Sequence, residues 1–218
     1  AIKNIHLPAS LSIQDKAVKR LKFEELFLIQ LNLLQRKIIH KRERGILLEK
    51  VEVYFKNCYE HALPFELTNA QKRVLKEIRR DTLSGAQMNR LLQGDVGSGK
   101  TIVALLTMLM ASDNNYQAAL MAPTEILAQQ HFISLKELCD KIGVRIALLT
   151  GSSKSKERKE ILEELKNGNI HILLGTHALL EDSVQFNNLG IVVIDEQHRF
   201  GVAQRAKLWK KNITPPHI

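Results

Sequence analysis

A glycine-rich run in the middle of the chain ends in a lysine followed by a threonine. It fits the pattern G-x-x-x-x-G-K-[ST], in which glycines let backbone N–H groups turn toward phosphate oxygens. The lysine would neutralise the terminal phosphates, and the threonine hydroxyl would bind Mg²⁺. A glycine-rich helix cap would not require a lysine and a threonine in that order. We therefore predict a triphosphate site made by Gly94, Asp95, Val96, Gly97, Ser98, Gly99, Lys100 and Thr101.

Two adjacent carboxylates, Asp195 and Glu196, follow the apolar run at residues 191–194. Ligands bind beyond the carboxyl ends of strands in open α/β sheets, and burying two acids without a use would be costly. We expect Asp195 to be the acid on the Mg²⁺ side and Glu196 to be the general base that orients the attacking water. Lys100, Asp195 and Glu196 are thus the predicted catalytic residues, although an acid at a strand end can also be a helix cap.

From residue 63 onward, short apolar runs alternate with longer helical patterns, which is typical of βα units that feed a parallel sheet. The runs predict a first strand that ends at Leu91-Leu92 and further strands at residues 117–121, 145–149, 170–174 and 191–194. The helical patterns fall at residues 101–111, 124–142 and 154–166. The predicted fold is α/β, a three-layer sandwich around a mostly parallel sheet.

The N-terminal part of the chain has a different pattern. Residues 13–44 have apolar side chains at spacings of three and four, which predicts one long helix that Gly45 could end. The stripe consists of Phe23, Phe27, Leu31, Leu34 and Ile38. Basic residues within 36–44 either touch phosphates or form a solvated face. We divide the chain into a helical extension at residues 1–62 and an α/β domain at residues 63–218.

The composition narrows the class of protein further. In 218 residues, 32 Lys and Arg against 23 Asp and Glu give a net charge of +9, which suits a polyanionic partner. No apolar stretch approaches the roughly 20 residues that cross a bilayer, so no membrane role is expected. Cys58 and Cys139 lie far apart in the sequence without a His/Cys cluster, which argues against a zinc site or a disulfide scaffold and favours the cytoplasm.

Residues 195–202, Asp-Glu-Gln-His-Arg-Phe-Gly-Val, resemble the second motif of superfamily-2 helicases, most closely that of the bacterial helicases acting on branched DNA. Residues 63–71 resemble the adenine-reading segment of that family, and residues 122–131, 150–152 and 175–180 resemble its strand-end motifs in the same order. The resemblance implies a RecA-like motor lobe that uses ATP and Mg²⁺. It also implies the remaining site residues: Phe65 and Gln71 for the base; Thr124, Thr150, Gly151 and Thr176 for the DNA backbone; Gln197 and His198 for coupling.

Some of these roles have simpler alternatives. Each threonine, taken alone, is more typical of a helix cap or a turn, and His198 could be a hydrogen-bonded turn residue. The residues at 21–26 look like the family's linker, and the chain stops where the family continues into its next strand. The resemblance therefore implies two missing partners in the same polypeptide, a second helicase lobe with an arginine finger and an upstream wedge domain. We expect the isolated chain to bind nucleotide weakly and to hydrolyse it hardly at all.

The leading hypothesis is the first motor lobe of an ATP-dependent DNA helicase that remodels forks and junctions in replication-linked repair and recombination. A transcription-repair coupling translocase is the nearest alternative, but that group usually has Glu where Gln197 stands here. A P-loop ATPase that acts on proteins or in transport would leave Gln71 and the threonine loops unexplained. A degenerate nucleotide-binding scaffold would not need intact Lys100 and Asp195.

Overall fold

The computed structural model describes residues 1–40, 44–209 and 211–218, without the side chains of residues 36–40, 202 and 205. The chain forms two compact units, Ala1–Glu43 and Arg44–Ile218. Residues 44–62 belong to the second unit, where Ile46 and Leu48 are buried in the core. The division of the chain into domains at residues 62 and 63 stays a prediction, and the compact units themselves divide at residues 43 and 44.

The first unit consists of two helices, α1 (Ile2–His6) and α2 (Leu11–His40). The long helix predicted from the apolar spacing is thus present up to His40. Phe23 and Phe27 stack with their ring centroids 5.7 Å apart, yet both rings, Leu31 and Leu34 are exposed. The side chain of Ile38, the last member of the stripe, and the basic side chains at residues 36, 37, 41 and 42 lie outside the described part of the chain.

The second unit contains most of the regular structure. Its helices are α3 (Val53–Asn57), a π-helical turn (Cys58–Ala62), α4 (Asn69–Thr82), α5 (Lys100–Asp113), α6 (Glu125–Lys141), α7 (Ser155–Lys166) and α8 (Val202–Trp209). Its strands are β1 (Gln117–Met121), β2 (Ile146–Leu149), β3 (Ile172–Gly175) and β4 (Leu189–Ile194). Two 3₁₀ turns cover His177–Leu180 and Gln197–Arg199.

The four strands form one parallel sheet in the order β2-β3-β1-β4, so the α/β class and the parallel sheet are confirmed. Successive side chains in a strand point to opposite faces, which explains the continuous apolar runs. On β1, Ala118 and Leu120 join the core under α4, α5 and α6, whereas Ala119 and Met121 join the core under α7 and α8. Helices on both faces make the predicted three-layer sandwich.

The strand predicted to end at Leu91-Leu92 is wrong, because residues 87–94 carry no assigned strand or helix. This segment is extended, and its backbone pairs with the last residues of the chain: Arg90 N donates to Ile218 O, and Ile218 N donates to Met88 O, both at 2.9 Å. His217 forms an isolated parallel bridge with Ile191 of β4. The two segments extend the sheet beyond β4, but their ladders are too short to count as strands.

The other elements predicted in the second unit are found within about two residues of their predicted ends. Among the described residues, none of the helices is both long enough and apolar enough to cross a lipid bilayer.

Candidate functional site

The phosphate-binding pattern forms a loop directly before α5. Gly97 and Gly99 have φ of 78° and 79°, a left-handed conformation that glycine adopts without a steric penalty, and Gly99 is the N-cap of α5. The Lys100 ammonium folds back over the loop and donates to the carbonyl oxygens of Gly94 and Asp95, both at 2.7 Å. Helix α5 thus begins with a cation and with backbone N–H groups that lack helical partners, an arrangement suited to an anion.

Gln71 lies against this loop. The capping box of α4 holds its side chain, because Gln71 Oε1 accepts from Thr68 N at 2.8 Å and Thr68 Oγ1 accepts from Gln71 N at 3.2 Å. The Gln71 amide also donates to Ser98 O at 3.0 Å. A Cβ atom on Gly99 would lie 2.3 Å from Gln71 Nε2, so only glycine permits this close approach. The side chain proposed to read the base therefore buttresses the phosphate loop.

An open pocket of about 480 Å³ adjoins α4. Its lining is Tyr59, Glu60, Leu63, Pro64, Phe65, Glu66, Leu67 and Lys72. The Phe65 ring is about half exposed there, which leaves one aromatic surface available to a planar ligand.

Asp195 follows directly after β4, and its backbone N donates to Met121 O at 2.9 Å. Because Val193 faces the core under α5 and α6, the strand alternation directs the Asp195 side chain to the same face as Lys100. Its two oxygens have separate donors: Glu196 N at 3.0 Å from Oδ1, and His131 Nε2 at 2.9 Å from Oδ2. The His131 hydrogen bond lowers the pKa of Asp195 most, the Glu196 N–H and the Lys100 charge add to this, and burial opposes it. Asp195 is thus an ionised carboxylate within the field of Lys100.

The neighbouring Glu196 adopts a left-handed backbone conformation, with φ 48° and ψ 52°. This conformation is strained for a residue with a side chain, and such strain concentrates at functional sites. The side chain is exposed, and its Oε2 lies 3.4 Å from His198 Nδ1. Gln197 and His198 are exposed in the 3₁₀ turn that follows.

The three threonines predicted at strand ends differ in what they present. Thr124 is exposed and caps α6 by accepting from Leu127 N at 3.3 Å. Thr150 is buried, with its hydroxyl 3.0 Å from Ser152 Oγ, while Gly151 beside it is exposed. The Thr176 hydroxyl is buried and has no hydrogen-bond partner within the described residues. Thr176 could therefore meet a phosphate only through its backbone.

Sequence reasoning gave no site role to two side chains that join these motifs. His131 holds Asp195, and Glu125 accepts from Ser152 Oγ at 2.6 Å and from Ser152 N at 3.2 Å. The signal for His131 was its position on the apolar stripe of α6 with Leu127, Leu135 and Leu138, where a polar side chain needs a partner. Glu125 had no such signal, since an acid in the first turn of a helix is ordinary.

The donor set near Asp195 suits Mg²⁺ rather than a metal held wholly by protein. No group of three or more His, Cys, Asp or Glu residues with metal-binding geometry occurs in the part of the chain that the structure describes. Mg²⁺ is commonly bound through one or two oxygen ligands of the protein together with phosphates and water. Thr101 and Asp195, a hydroxyl and a carboxylate on the same face of the sheet, fit that pattern.

The fold and the loop before α5 define a P-loop nucleotide-binding lobe of the RecA-like type. Residues 68–216 match the model of the DEAD/DEAH box helicase family. The chain belongs to the DEAD/DEAH box helicases, and the resemblance drawn from residues 195–202 is confirmed.

Curated relatives named ATP-dependent DNA helicase RecG are similar over nearly the whole chain. The protein of Aquifex aeolicus is 49% identical over 96% of this chain, and that of Bacillus subtilis is 49% identical over 99%. The chain spans only 27% and 32% of their respective lengths.

Two solved structures share the fold of this chain. RecG bound to a three-way DNA junction superposes with a TM-score of 0.81 at 45% identity, over 91% of this chain and 27% of that one. The helicase MrfA bound to DNA and AMPPNP has a TM-score of 0.54 at 22% identity, over 72% of this chain and 23% of that one, which supports the fold alone.

Proposed function

We propose that this chain is the first motor lobe of an ATP-dependent DNA helicase that remodels branched DNA. The observation that carries the proposal is the convergence of Lys100, the first residue of α5, and Asp195, which follows β4, on one face of the sheet. The match to the DEAD/DEAH box helicase family supports it, and so do the RecG relatives, which are named ATP-dependent DNA helicases.

The residues around that convergence have separate tasks. Residues 94–99 surround the phosphates with backbone N–H groups, and Lys100 leaves Gly94 O and Asp95 O to neutralise the terminal phosphates. Thr101 Oγ1 and Asp195 would hold Mg²⁺, and the ion would withdraw charge from the phosphate oxygens. The Glu196 carboxylate orients the attacking water and accepts its proton.

The adenine base is assigned to the pocket beside α4. Phe65 supplies an exposed ring for stacking, and Gln71, already in contact with Ser98 O, reads the edge of the base from the phosphate side. The contact also means that an occupied pocket would stiffen the phosphate loop.

A DNA strand is assigned to the carboxyl edge of the sheet. The exposed Thr124 hydroxyl and the backbone at Gly151 and Thr176 are the proposed contacts, because each follows a strand and phosphates bind N–H and hydroxyl donors. Gln197 and His198 are proposed to couple the nucleotide to the second lobe of the same polypeptide. An upstream wedge is the proposed reader of the branch.

The proposed location is the bacterial cytoplasm. Cys58 and Cys139 are both buried free thiols, which suits a reducing compartment.

The test is steady-state ATP hydrolysis by the full-length gene product with a three-way junction, with linear duplex and without DNA. We expect the junction to stimulate turnover most, and Lys100→Ala and Glu196→Gln to lower it at least ~100-fold. Lys141→Ala, in an exposed pair with Glu137, is the matched control and should act as wild type. Equal stimulation by both DNAs would favour a duplex translocase, and hydrolysis indifferent to DNA would favour an ATPase of another class.

A further inference from the structure

We propose that His131 is a positioning residue for Asp195, which holds the carboxylate in the orientation that a divalent cation needs. The inference rests on the proposed function, since it assigns Asp195 to Mg²⁺. It adds a residue of α6 to a site otherwise made by the phosphate loop and the end of β4.

The geometry fixes the direction of the hydrogen bond. An ionised carboxylate can only accept, so His131 Nε2 carries the hydrogen that lies in the 2.9 Å contact with Asp195 Oδ2. Glu196 N holds the other oxygen at 3.0 Å. Two donors on two different oxygens restrict rotation of the carboxylate, and each oxygen keeps a further lone pair for a cation.

The place of His131 in the fold argues against a packing role. Its side chain is 17% exposed, on the face of α6 that Leu135 and Leu138 bury against the sheet. An aliphatic side chain would fill this position without the desolvation penalty of an imidazole. The hydrogen bond to Asp195 is the described contact that offsets this penalty.

A side chain that hydrogen-bonds to a metal-binding carboxylate affects the affinity for the metal ion more than the affinity for the nucleotide. Removing such partners typically costs 10- to 100-fold in metal affinity or activity. The binding of nucleotide without metal depends instead on Lys100 and the phosphate loop. His131 should therefore change the Mg²⁺-dependent part of nucleotide affinity and leave the remainder intact.

The experiment measures binding of a fluorescent ATP analogue to the full-length gene product across a Mg²⁺ titration and in EDTA. We expect His131→Leu to raise the Mg²⁺ concentration for half-maximal binding at least roughly tenfold, with affinity in EDTA unchanged. His131→Gln, which places an N–H donor at a similar reach, should restore most of the loss, and the shorter His131→Asn should not. Lys136→Leu, an exposed position of α6, is the matched control.

Three outcomes would overturn the inference: an unchanged Mg²⁺ requirement in His131→Leu, equal losses with Mg²⁺ and in EDTA, or equal behaviour of the Gln and Asn variants. The Gln and Asn pair keeps the test valid if the Leu variant does not fold. Lys100→Ala, measured in parallel, distinguishes a failure of the proposed function from a failure of the role proposed for His131. If Lys100→Ala binds nucleotide as wild type does, the proposed function itself fails; if only His131 is without effect, this inference alone fails.

Discussion

The carboxylate of Glu125 joins two loops, because it accepts from the Ser152 hydroxyl at 2.6 Å and from Ser152 N at 3.2 Å. Glu125 is the first residue of α6, so this contact ties the loop after β1 to the loop after β2. The hydrogen bond from the Ser152 hydroxyl is the main reason that the pKa of Glu125 lies below its ordinary value, and the nearby His177 adds to this. The Glu125 carboxylate thus holds together two of the loops at the sheet edge that is assigned to DNA.

Replacing Glu125 should weaken DNA binding without removing a contact to DNA. We expect Glu125→Ala to raise the Kd for a junction roughly fivefold, because the loop at residues 150–153 loses its anchor. The salt dependence of Kd should keep its slope, since no cation that meets a phosphate is lost. Fluorescence anisotropy at several salt concentrations measures both quantities. Glu137→Ala, on the exposed side of α6, is the control, and the prediction fails if the two variants bind alike.

Thr176 tests which part of a residue faces the DNA. Its hydroxyl is buried and has no partner among the described residues, and an unsatisfied buried hydroxyl costs about 1–3 kcal/mol. Thr176→Val should therefore raise the free energy of unfolding by about 1 kcal/mol, while DNA affinity stays within a factor of about two. Urea denaturation and the same anisotropy assay supply the two numbers. A large loss of DNA affinity would mean that the hydroxyl itself binds DNA.

Glu196 should show a conflict between stability and activity. The left-handed conformation costs an ordinary L-residue roughly 1–2 kcal/mol, and glycine avoids this cost. Glu196→Gly and Glu196→Ala should both abolish hydrolysis, because both lack the carboxylate. The glycine variant should be the more stable of the two by up to about 1 kcal/mol in thermal or urea unfolding. Equal stability of the pair would contradict a strained backbone at this position.

His217 makes stability depend on pH. The ring is buried, with Nδ1 accepting from Met88 N at 2.9 Å and Nε2 at 2.6 Å from Ile46 O, so the folded chain requires its neutral form. Burial lowers the pKa of His217 below its ordinary 6.5. At pH values between the pKa of His217 in the folded chain and about 6.5, the unfolded chain binds more protons than the folded chain. The contribution of His217 to the free energy of unfolding is therefore fully present above pH 6.5 and is lost as the pH falls through this range.

The expected slope from one proton is at most about 1.4 kcal/mol per pH unit. His217→Asn should flatten the pH dependence of the unfolding free energy but not abolish it, because burial also lowers the pKa of His171. Urea unfolding at a series of pH values between 5 and 8 measures the slope. His61→Asn, at an exposed position, is the control, and a slope unaffected by His217→Asn would contradict this account.

Much of the fold was predictable because it depends on local patterns. The continuous apolar runs at residues 170–174 and 191–194 belong to strands buried on both faces, and the glycines with the following lysine at residues 94–101 determine a loop and a helix start. The segment before that loop was predicted as a strand because Leu91 and Leu92 are apolar. Its ladder depends on residues 216–218, more than 120 positions later, and no local pattern reveals how short that ladder is.

The site residues could be predicted where the reaction requires a particular residue type in a motif. They were harder to predict where a role depends on a contact between two helices, strands or loops. Lys100 and Asp195 follow from motifs, but their placement on one face of the sheet depends on the packing of α5 beside β4. The roles of His131 and Glu125 depend on partners 64 and 27 positions away, respectively, and the burial of Thr176 depends on the packing of a whole face. Tertiary packing determines these contacts and this burial, and the distances between residues far apart in the chain cannot be read from a single sequence.

The most direct test of the central claim is a crystal structure of the protein with a non-hydrolysable ATP analogue and Mn²⁺ in place of Mg²⁺. We predict an anomalous Mn²⁺ peak about 2.0–2.3 Å from Thr101 Oγ1 and from the phosphates, facing Asp195 on the side of the sheet that carries Lys100. A peak held by other residues, or phosphates bound away from residues 94–101, would contradict it.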